Sequence, residues 1–316
     1  MLAASRYFAN AAAHQGCGML MNDPIRSLPD QSWSGSPALA PTCGVEAAVE
    51  AGQVLHFPHL PFALLAGEQA LLDPGVGDAK AKNISLRGSD DSLRGAADPS
   101  GQSAQAAALK AMLLRFRGQG LALAERLFPH YAGHLTLGNA SFRPYAVQGR
   151  ERSWRQNDSR LHVDAFPSNP SRGQRLLRVF SNLNPQGAPR VWRVGEPFED
   201  FARRQVPHLS RPFPGSAWLL HRLKLTKRRR SEYDHLMLQL HDRAKADLDW
   251  QKAAPQQRVE FAPGSTWVVF SDQVLHAVDA GQYMLEMTLL LDTDDQLQPQ
   301  TSPLRVLERL TGRALR

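Results

Sequence analysis

The chain predicts a mainly β fold with helices, and three observations carry that expectation. From Leu135 onward the sequence breaks into short runs rich in β-branched and aromatic residues, separated by Gly, Pro and Asn, the composition of strands and their turns. Two longer stretches, 103–127 and 227–249, instead place apolar residues at helical spacing. At 316 residues with 42% apolar side chains, the chain can bury one large core or two modest ones, which excludes a disordered tail or a coiled coil.

In chain order, residues 1–45 are rich in Ala, Ser, Gly and Pro without periodicity and read as a flexible extension, with Met21 as an alternative start. The run QVLHFPHLPFALL at 53–65 has strand composition, but its two prolines place it at an edge. Turn formers and scattered charge make 70–101 a long surface segment. Within 103–127, Leu109, Met112, Leu113 and Phe116 share one face, giving one or two amphipathic helices. Strand candidates follow as HLTLGNASFRPYAV, RLHVDAF, QRLLRVFSNLNP, RVWRV, VEFAP and STWVVF. A helical insertion at 227–249 puts Tyr233, Leu236, Met237 and Leu240 together. The last strand, YMLEMTLLL at 283–291, is stopped by Asp292, Asp294 and Asp295, and the polar tail beyond holds a short helical piece at PLRVLERL.

Charge and cysteine usage bound the function. Lys and Arg outnumber Asp and Glu by 37 to 30, which suits an anionic partner such as nucleic acid, a phosphorylated substrate or an anionic lipid surface. Cys17 and Cys43 form no C-x-x-C pair, excluding a disulfide framework and a thiolate zinc site. A metal would have to use His, Asp or Glu. No run reaches the ~20 apolar residues of a spanning helix, and the start lacks a basic region followed by an apolar core, so a soluble or peripheral cytoplasmic protein is expected. Without a G-x-G-x-x-G opening a helix, a P-loop or a G-x-S-x-G, nucleotide-fold and serine-hydrolase chemistries have no foothold.

His162-Val163-Asp164 lies in a strand-like run, where residues i and i+2 share a face. His276, after PGSTWVVFSDQVL, could close a three-ligand site. Two His and one carboxylate on one face leave three positions for cosubstrate and dioxygen, the facial triad of non-haem Fe(II) oxygenases. The bland alternative is a hydrogen-bonded structural His–Asp pair. On the following strand Arg178, Phe180 and Asn182 share a face. A cation buried beside a metal needs an anion, which a dicarboxylate supplies by bidentate pairing. Arg178 is therefore the preferred clamp, against a surface arginine snorkelling at a sheet edge.

This pattern, H-x-D, a turn, a strand ending in L-N and a distal His before the last strand, resembles the Fe(II)/2-oxoglutarate dioxygenases on the double-stranded β-helix (jelly-roll) fold. More specifically, the chain looks like the Kdo hydroxylases, which act on the 3-deoxy-octulosonic acid sugar of the lipopolysaccharide inner core. The likeness is carried by LHVDAFPSNPSRGQRLLRVFSNLNP at 161–185, PRVWRVGEPF at 189–198, YDHLMLQLHD at 233–242 and PGSTWVVFSDQVLHAV at 263–278. FPHLPF, KNISL, FRPY and GRERS support it, and it extends over nearly the whole chain without its ends.

The resemblance implies a jelly-roll domain over 46–297 with a helical insertion at about 227–249, an N-terminal extension at 1–45 and a tail at 298–316. It implies Fe(II) held by His162, Asp164 and His276, with 2-oxoglutarate and dioxygen as cosubstrates. The reaction implied is hydroxylation of carbon 3 of Kdo, giving Ko, succinate and CO2. One departure bears on the cosubstrate: many members of the wider superfamily carry an Arg on the final strand, where this chain has Leu285 and Glu286. The counter-cation should then be Arg178, with Arg190 or Arg193 next, since i and i+3 cannot both face inward on a strand. Tyr145 or Asn182 would donate the accompanying hydrogen bond.

Lys224, Lys227, Arg228, Arg229 and Arg230 cluster before the YDH helix, where cations oppose the macrodipole. A lipid A phosphate or an anionic inner-membrane headgroup would satisfy them; a solvated helix start is the alternative. The expected partner is a Kdo-containing lipid A precursor met peripherally at the cytoplasmic face of the inner membrane, with nucleic acid disfavoured and the oligomeric state open. Arg143, Arg150, Arg152, Arg155 and Arg160 are contacts for the sugar carboxylate or surface charges. His130 and His134 lack the glutamate of an H-E-x-x-H zinc helix. His235 and His241 read as packing residues, and Trp192, Trp218 and Trp267 as core or pocket wall. Rival readings give the same fold a protein or another sugar acid as substrate, or make it a silent basic jelly roll that binds lipopolysaccharide or nucleic acid.

Overall fold

The computed structural model describes residues 23–29, 31–33, 44–149 and 153–316. Met21, both cysteines, Arg150 and Arg152 lie outside the described residues. The strands are β1 (Ile25–Ser27), β2 (Val54–Phe57), β3 (Ile84–Leu86), β4 (Leu93–Arg94), β5 (Thr136–Arg143), β6 (Arg175–Asn182), β7 (Arg190–Gly195), β8 (Gln256–Phe261), β9 (Thr266–Phe270), β10 (His276–Ala280) and β11 (Met284–Leu291). The helices are α1 (Val45–Glu50), α2 (Ala104–Leu127), α3 (Phe198–Gln205), α4 (Ser216–Arg222), α5 (Glu232–Ala246), α6 (Leu248–Ala253) and α7 (Pro303–Thr311). An eight-stranded sheet runs β1-β2-β9-β6-β11-β5-β3-β4, and a three-stranded sheet runs β10-β7-β8. Together they form the double-stranded β-helix.

Period-2 alternation sorts each central strand between two cores. From β6, Leu177 and Val179 join α2 residues Leu109, Met112, Leu113 and Phe116 in the larger core, and β11 adds Leu285, Met287, Leu289 and Leu291. The opposite face of the same sheet packs Phe180, Trp267, Val269 and Met284 against Trp192, Val194 and Phe261 of the small sheet. The helical segment at 103–127 is one helix, capped by the Ser103 side chain, which accepts from Ala106 N. Gly120 lets α2 lie close on the sheet: a Cβ there would sit 2.1 Å from Met287 Sδ.

Four expectations change. β1, inside the stretch read as an extension, pairs parallel with β2, and Leu28 and Trp33 are buried in the large core; three residues are too few to show a period. β2 is no edge, because β1 and β9 flank it, and Pro58 and Pro61 fall beyond its end. The surface segment 70–101 contains β3, whose Ile84 and Leu86 are fully buried. The C-terminal tail is anchored, since α7 buries Leu304, Val306 and Leu307 beside Leu315 and shows only its other face to water.

The turn that delivers His276 rests on a buried ion pair. Arg175 Nε donates to Asp272 Oδ2 at 2.8 Å, its Nη2 donates to Gln273, and its guanidinium lies 3.9 Å from the Phe270 ring centroid. Asp272 Oδ1 also accepts from Leu176 N. Both charged residues are almost wholly buried, and deleting one partner strands the other charge. Asp272→Ala is expected to cost about 3–5 kcal/mol of stability, read by urea unfolding. A loss below ~1 kcal/mol, the value of an exposed pair, would show that water reaches the site.

Candidate active site

The H-x-D run belongs to no named strand; a two-residue antiparallel bridge ties it to β10. His162 N donates to His276 O at 3.0 Å, and His276 N donates to His162 O at 2.9 Å. Two residues further on, Asp164 N donates to Ser271 O at 2.8 Å. These backbone bonds bring the imidazole centroids to 4.6 Å, and ligating atoms of His162, Asp164 and His276 all lie within 4.8 Å of one another.

The tautomers follow from the hydrogen bonds. His162 Nδ1 faces Arg160 O and His276 Nδ1 faces Val274 O, each at 2.8 Å. A carbonyl only accepts, so each Nδ1 carries the hydrogen and each Nε2 keeps its lone pair for a metal. Burial, and then the neighbouring His276 imidazole, push His162 well below its usual range; burial also lowers His276. Both rings are neutral, the ligand form. Burial alone would raise Asp164, but the Arg178 guanidinium outweighs it and holds the carboxyl well below its ordinary value. Arg178 Nη1 donates to Asp164 Oδ2 at 2.7 Å, while Oδ1 lies 3.7 Å from His162 Nε2. Two imidazole nitrogens and one carboxylate oxygen are thus presented together, a donor set that fits Fe(II).

Around this triad is a cavity of about 640 Å³ with Phe180, Trp192, Val278 and Met284 among its apolar lining residues. Trp192 stacks on His276 at 5.0 Å, and His241 meets His162 edge-on at 5.5 Å. One wall is strongly charged. Glu286 of β11 stands opposite Ser141 of β5 and Phe180 of β6. Arg143 and Arg178 lie two residues along those strands, on the same face and within diagonal reach. Arg143 grips Glu286 with two bonds of 3.0 Å, and Arg178 Nη2 adds a third contact at 3.0 Å. Burial works to raise Glu286, yet the two guanidiniums keep it below the usual carboxylate range. Behind them Asp158 pairs with Lys82 at 2.5 Å and with Arg143 at 3.4 Å.

Arg190 is different. It reaches into the same cavity from β7, is almost wholly buried, and donates to Gly281 O at 3.2 Å, but its Nε has no acceptor. No carboxylate pairs with it among the described residues. Burial, then the Arg143 cation, draw its guanidinium down to about 9.

The candidate cosubstrate residues therefore separate. Arg178 faces the cavity, but its two terminal nitrogens are engaged with Asp164 and Glu286. Asn182 lies outside the cavity lining; it donates to Phe261 O and Ala188 O and accepts from Asn184 N, bracing the two sheets. Arg193 faces away and binds Asp279, Gln256 and Ser159 O. Of the i, i+3 pair, Arg190 is the inward one. Tyr145 lines a smaller side cavity with Arg143, Asp158 and Arg190. His134 pairs with Asp295 at 3.1 Å, away from any metal cluster of the described residues. The wall formed by Arg143 and Glu286 is the part that sequence reasoning underrated. Its signal was present as period-2 alternation in FRPY and YMLEM, but strand partners were needed to read it.

A sequence model of a family described as 3-deoxy-D-manno-oct-2-ulosonic acid (Kdo) hydroxylase matches residues 33–314. Among solved structures, the Kdo hydroxylase KdoO, a non-heme Fe(II) alphaketoglutarate-dependent dioxygenase, is similar with a TM-score of 0.86 in its complex with alphaketoglutarate and Fe(III). Its cobalt(II) complex gives 0.87 and its complex with succinate and Fe(III) 0.86. Each is 44% identical, the match covering 93% of this chain and 97% of that one. No curated protein sequence matches the chain.

Proposed function

The chain belongs to the Kdo hydroxylase family and is an Fe(II)/2-oxoglutarate-dependent dioxygenase, and from that premise we propose that it hydroxylates carbon 3 of Kdo in a lipid A precursor, giving Ko. The observation that supports this reading best is that a two-His, one-carboxylate donor set shares its cavity with a buried guanidinium, that of Arg190, which has no carboxylate partner among the described residues.

In this reading His162, Asp164 and His276 hold Fe(II). When bound, Fe(II) together with 2-oxoglutarate and dioxygen supplies the oxidising power that exchanges a C–H bond for C–OH while 2-oxoglutarate loses CO2 to become succinate. The remaining work belongs to the chain's own groups. Arg178 occupies Asp164 Oδ2 and leaves Oδ1 for the metal, an outer contact that fixes the carboxylate's direction. Arg190, with Arg143 beside it, receives the distal carboxylate of 2-oxoglutarate, the anion that a buried guanidinium requires. Phe180, Trp192, Val278 and Met284 keep the reacting end dry. Arg87, Arg94, Lys227 and Arg228 also line the cavity, and they suit an acidic, phosphorylated glycolipid. Lys224 and Arg229 beside them extend that charge toward an anionic inner-membrane surface on the cytoplasmic side.

Incubation with Fe(II), 2-oxoglutarate and Kdo-containing lipid A should add one oxygen atom to the lipid, seen by mass spectrometry, with one succinate released per turnover. An unmodified lipid with succinate formed on another acceptor would move the substrate to a protein or different sugar acid. Absence of succinate with any acceptor would leave a binding protein.

A further inference from the structure

Between His208 and α5 the chain leaves the β-helix in a lobe, 209–230, that holds α4. No residue of α4 is buried, and no side chain of 210–230 belongs to a hydrophobic core cluster. Yet the lobe is apolar. Phe213 is 86% exposed, Trp218 54%, Leu219 49%, Leu223 58% and Leu225 58%. Trp218, expected in the core or pocket wall, is on the surface. Five large apolar side chains shown to water within thirteen residues form a patch of the kind that marks an interaction surface.

The lobe's charge states what covers it. Between Asp200 and Glu232 the chain has no acidic residue, while Arg211, Arg222, Lys224, Lys227, Arg228 and Arg229 intersperse or adjoin the apolar side chains. None of these six pairs with a carboxylate among the described residues. Exposed Phe, Trp and Leu flanked by Arg and Lys, without acids, complement a bilayer interface: rings and branched chains enter the acyl boundary while cations meet lipid phosphates. An acidic protein surface would match the cations but leave the leucines uncovered. The lobe is tethered to the cavity rim, with Lys227 N donating to Ser168 O at 2.9 Å and Arg230 Nη2 to Pro167 O. Ser168, Lys227 and Arg228 line the cavity.

We propose that 209–230 is a lipid-inserting lobe that seats the enzyme on an anionic bilayer through Phe213, Trp218, Leu219, Leu223 and Leu225, placing the cavity mouth at the headgroup layer. This deepens, and rests on, the reading of the cationic cluster as a membrane contact. An acidic glycolipid headgroup would then reach the triad without its acyl chains leaving the bilayer.

The test uses the full chain and phosphatidylcholine vesicles with or without phosphatidylglycerol. Wild type should cosediment with the anionic vesicles, and Trp218 emission should shift to the blue. Trp218→Phe should bind equally while losing that shift. A triple variant, Phe213→Ser, Leu223→Ser and Leu225→Ser, should bind roughly tenfold or more weakly, with an unchanged unfolding midpoint because all three side chains are exposed. Replacing Arg222, Lys224 and Arg229 by Gln should weaken binding by roughly fivefold per charge. If the serine variant binds as well as wild type and no blue shift occurs, insertion is overturned and the electrostatic contact stands. If wild type ignores anionic vesicles, both fall. If wild type forms a dimer that the serine variant abolishes, the face belongs to a second copy and the proposal is overturned.

Discussion

Asp164→Ala should abolish hydroxylation and weaken metal binding by more than 100-fold while the protein remains folded. The carboxylate is one of the three proposed ligands, whose donor atoms lie within 4.8 Å of one another, and losing even an outer partner of a ligand typically costs 10–100-fold in affinity. The fold should survive because Arg178 keeps its contact with Glu286 at 3.0 Å, so no cation is left wholly unpaired. The imidazoles stay neutral and hydrogen-bonded to carbonyls. Arg178→Met should fall within the 10–100-fold range, since Oδ1 remains but its direction is no longer held. Titration with Co(II) by calorimetry, with iron content measured in parallel, checks both. Full metal loading in Asp164→Ala would remove the triad from the mechanism.

Arg190→Met should raise the KM for 2-oxoglutarate by roughly 30- to 5,000-fold, the equivalent of the about 2–5 kcal/mol lost when one partner of a buried charge pair is removed. Stability should stay level or rise. In the cosubstrate-free protein Arg190 is a buried cation next to Arg143 with no carboxylate partner among the described residues, and its guanidinium is drawn down to about 9. The sign follows: a cation lowered by folding opposes folding at pH 7, and that cost fades as pH rises from about 9 toward the normal arginine range. Removing it relieves the cost. A higher urea midpoint together with a higher KM would mark a residue kept for its ligand, whereas an unchanged KM would place the dicarboxylate elsewhere. Arg193→Met is the contrast. Its guanidinium binds Asp279 and Gln256 outside the cavity, so cosubstrate KM should stay within a few-fold of wild type.

How much of this was legible depended on the range of the interaction. The spacing of His162 and Asp164 and the inward face of Arg178 are period-2 facts, readable because a strand alternates whatever surrounds it. The helical faces of α2 and α5 were legible for the same local reason. Asn182 shares the nominal face of Arg178, but a strand end and a β8 carbonyl claimed its amide, which alternation does not foresee. β1 and Trp33 offered no period, and their burial depends on β2 and Pro61 O.

By itself, the sequence determined the chemistry available: a cysteine-poor, cationic, mainly β chain whose metal would have to use His and carboxylate ligands, with an H-x-D that has one shared face. Tertiary structure alone decided three further matters. It paired His162 with His276 across a bridge, it set Glu286 of β11 between Arg143 and Arg178, and it left Arg190 rather than Arg193 inside, with no carboxylate partner among the described residues. It also left Trp218 and its apolar neighbours uncovered. The physical reason is common to all of these. A charge or an apolar surface acquires its meaning from what lies opposite it, and strand order and sheet packing choose that neighbour across long stretches of chain.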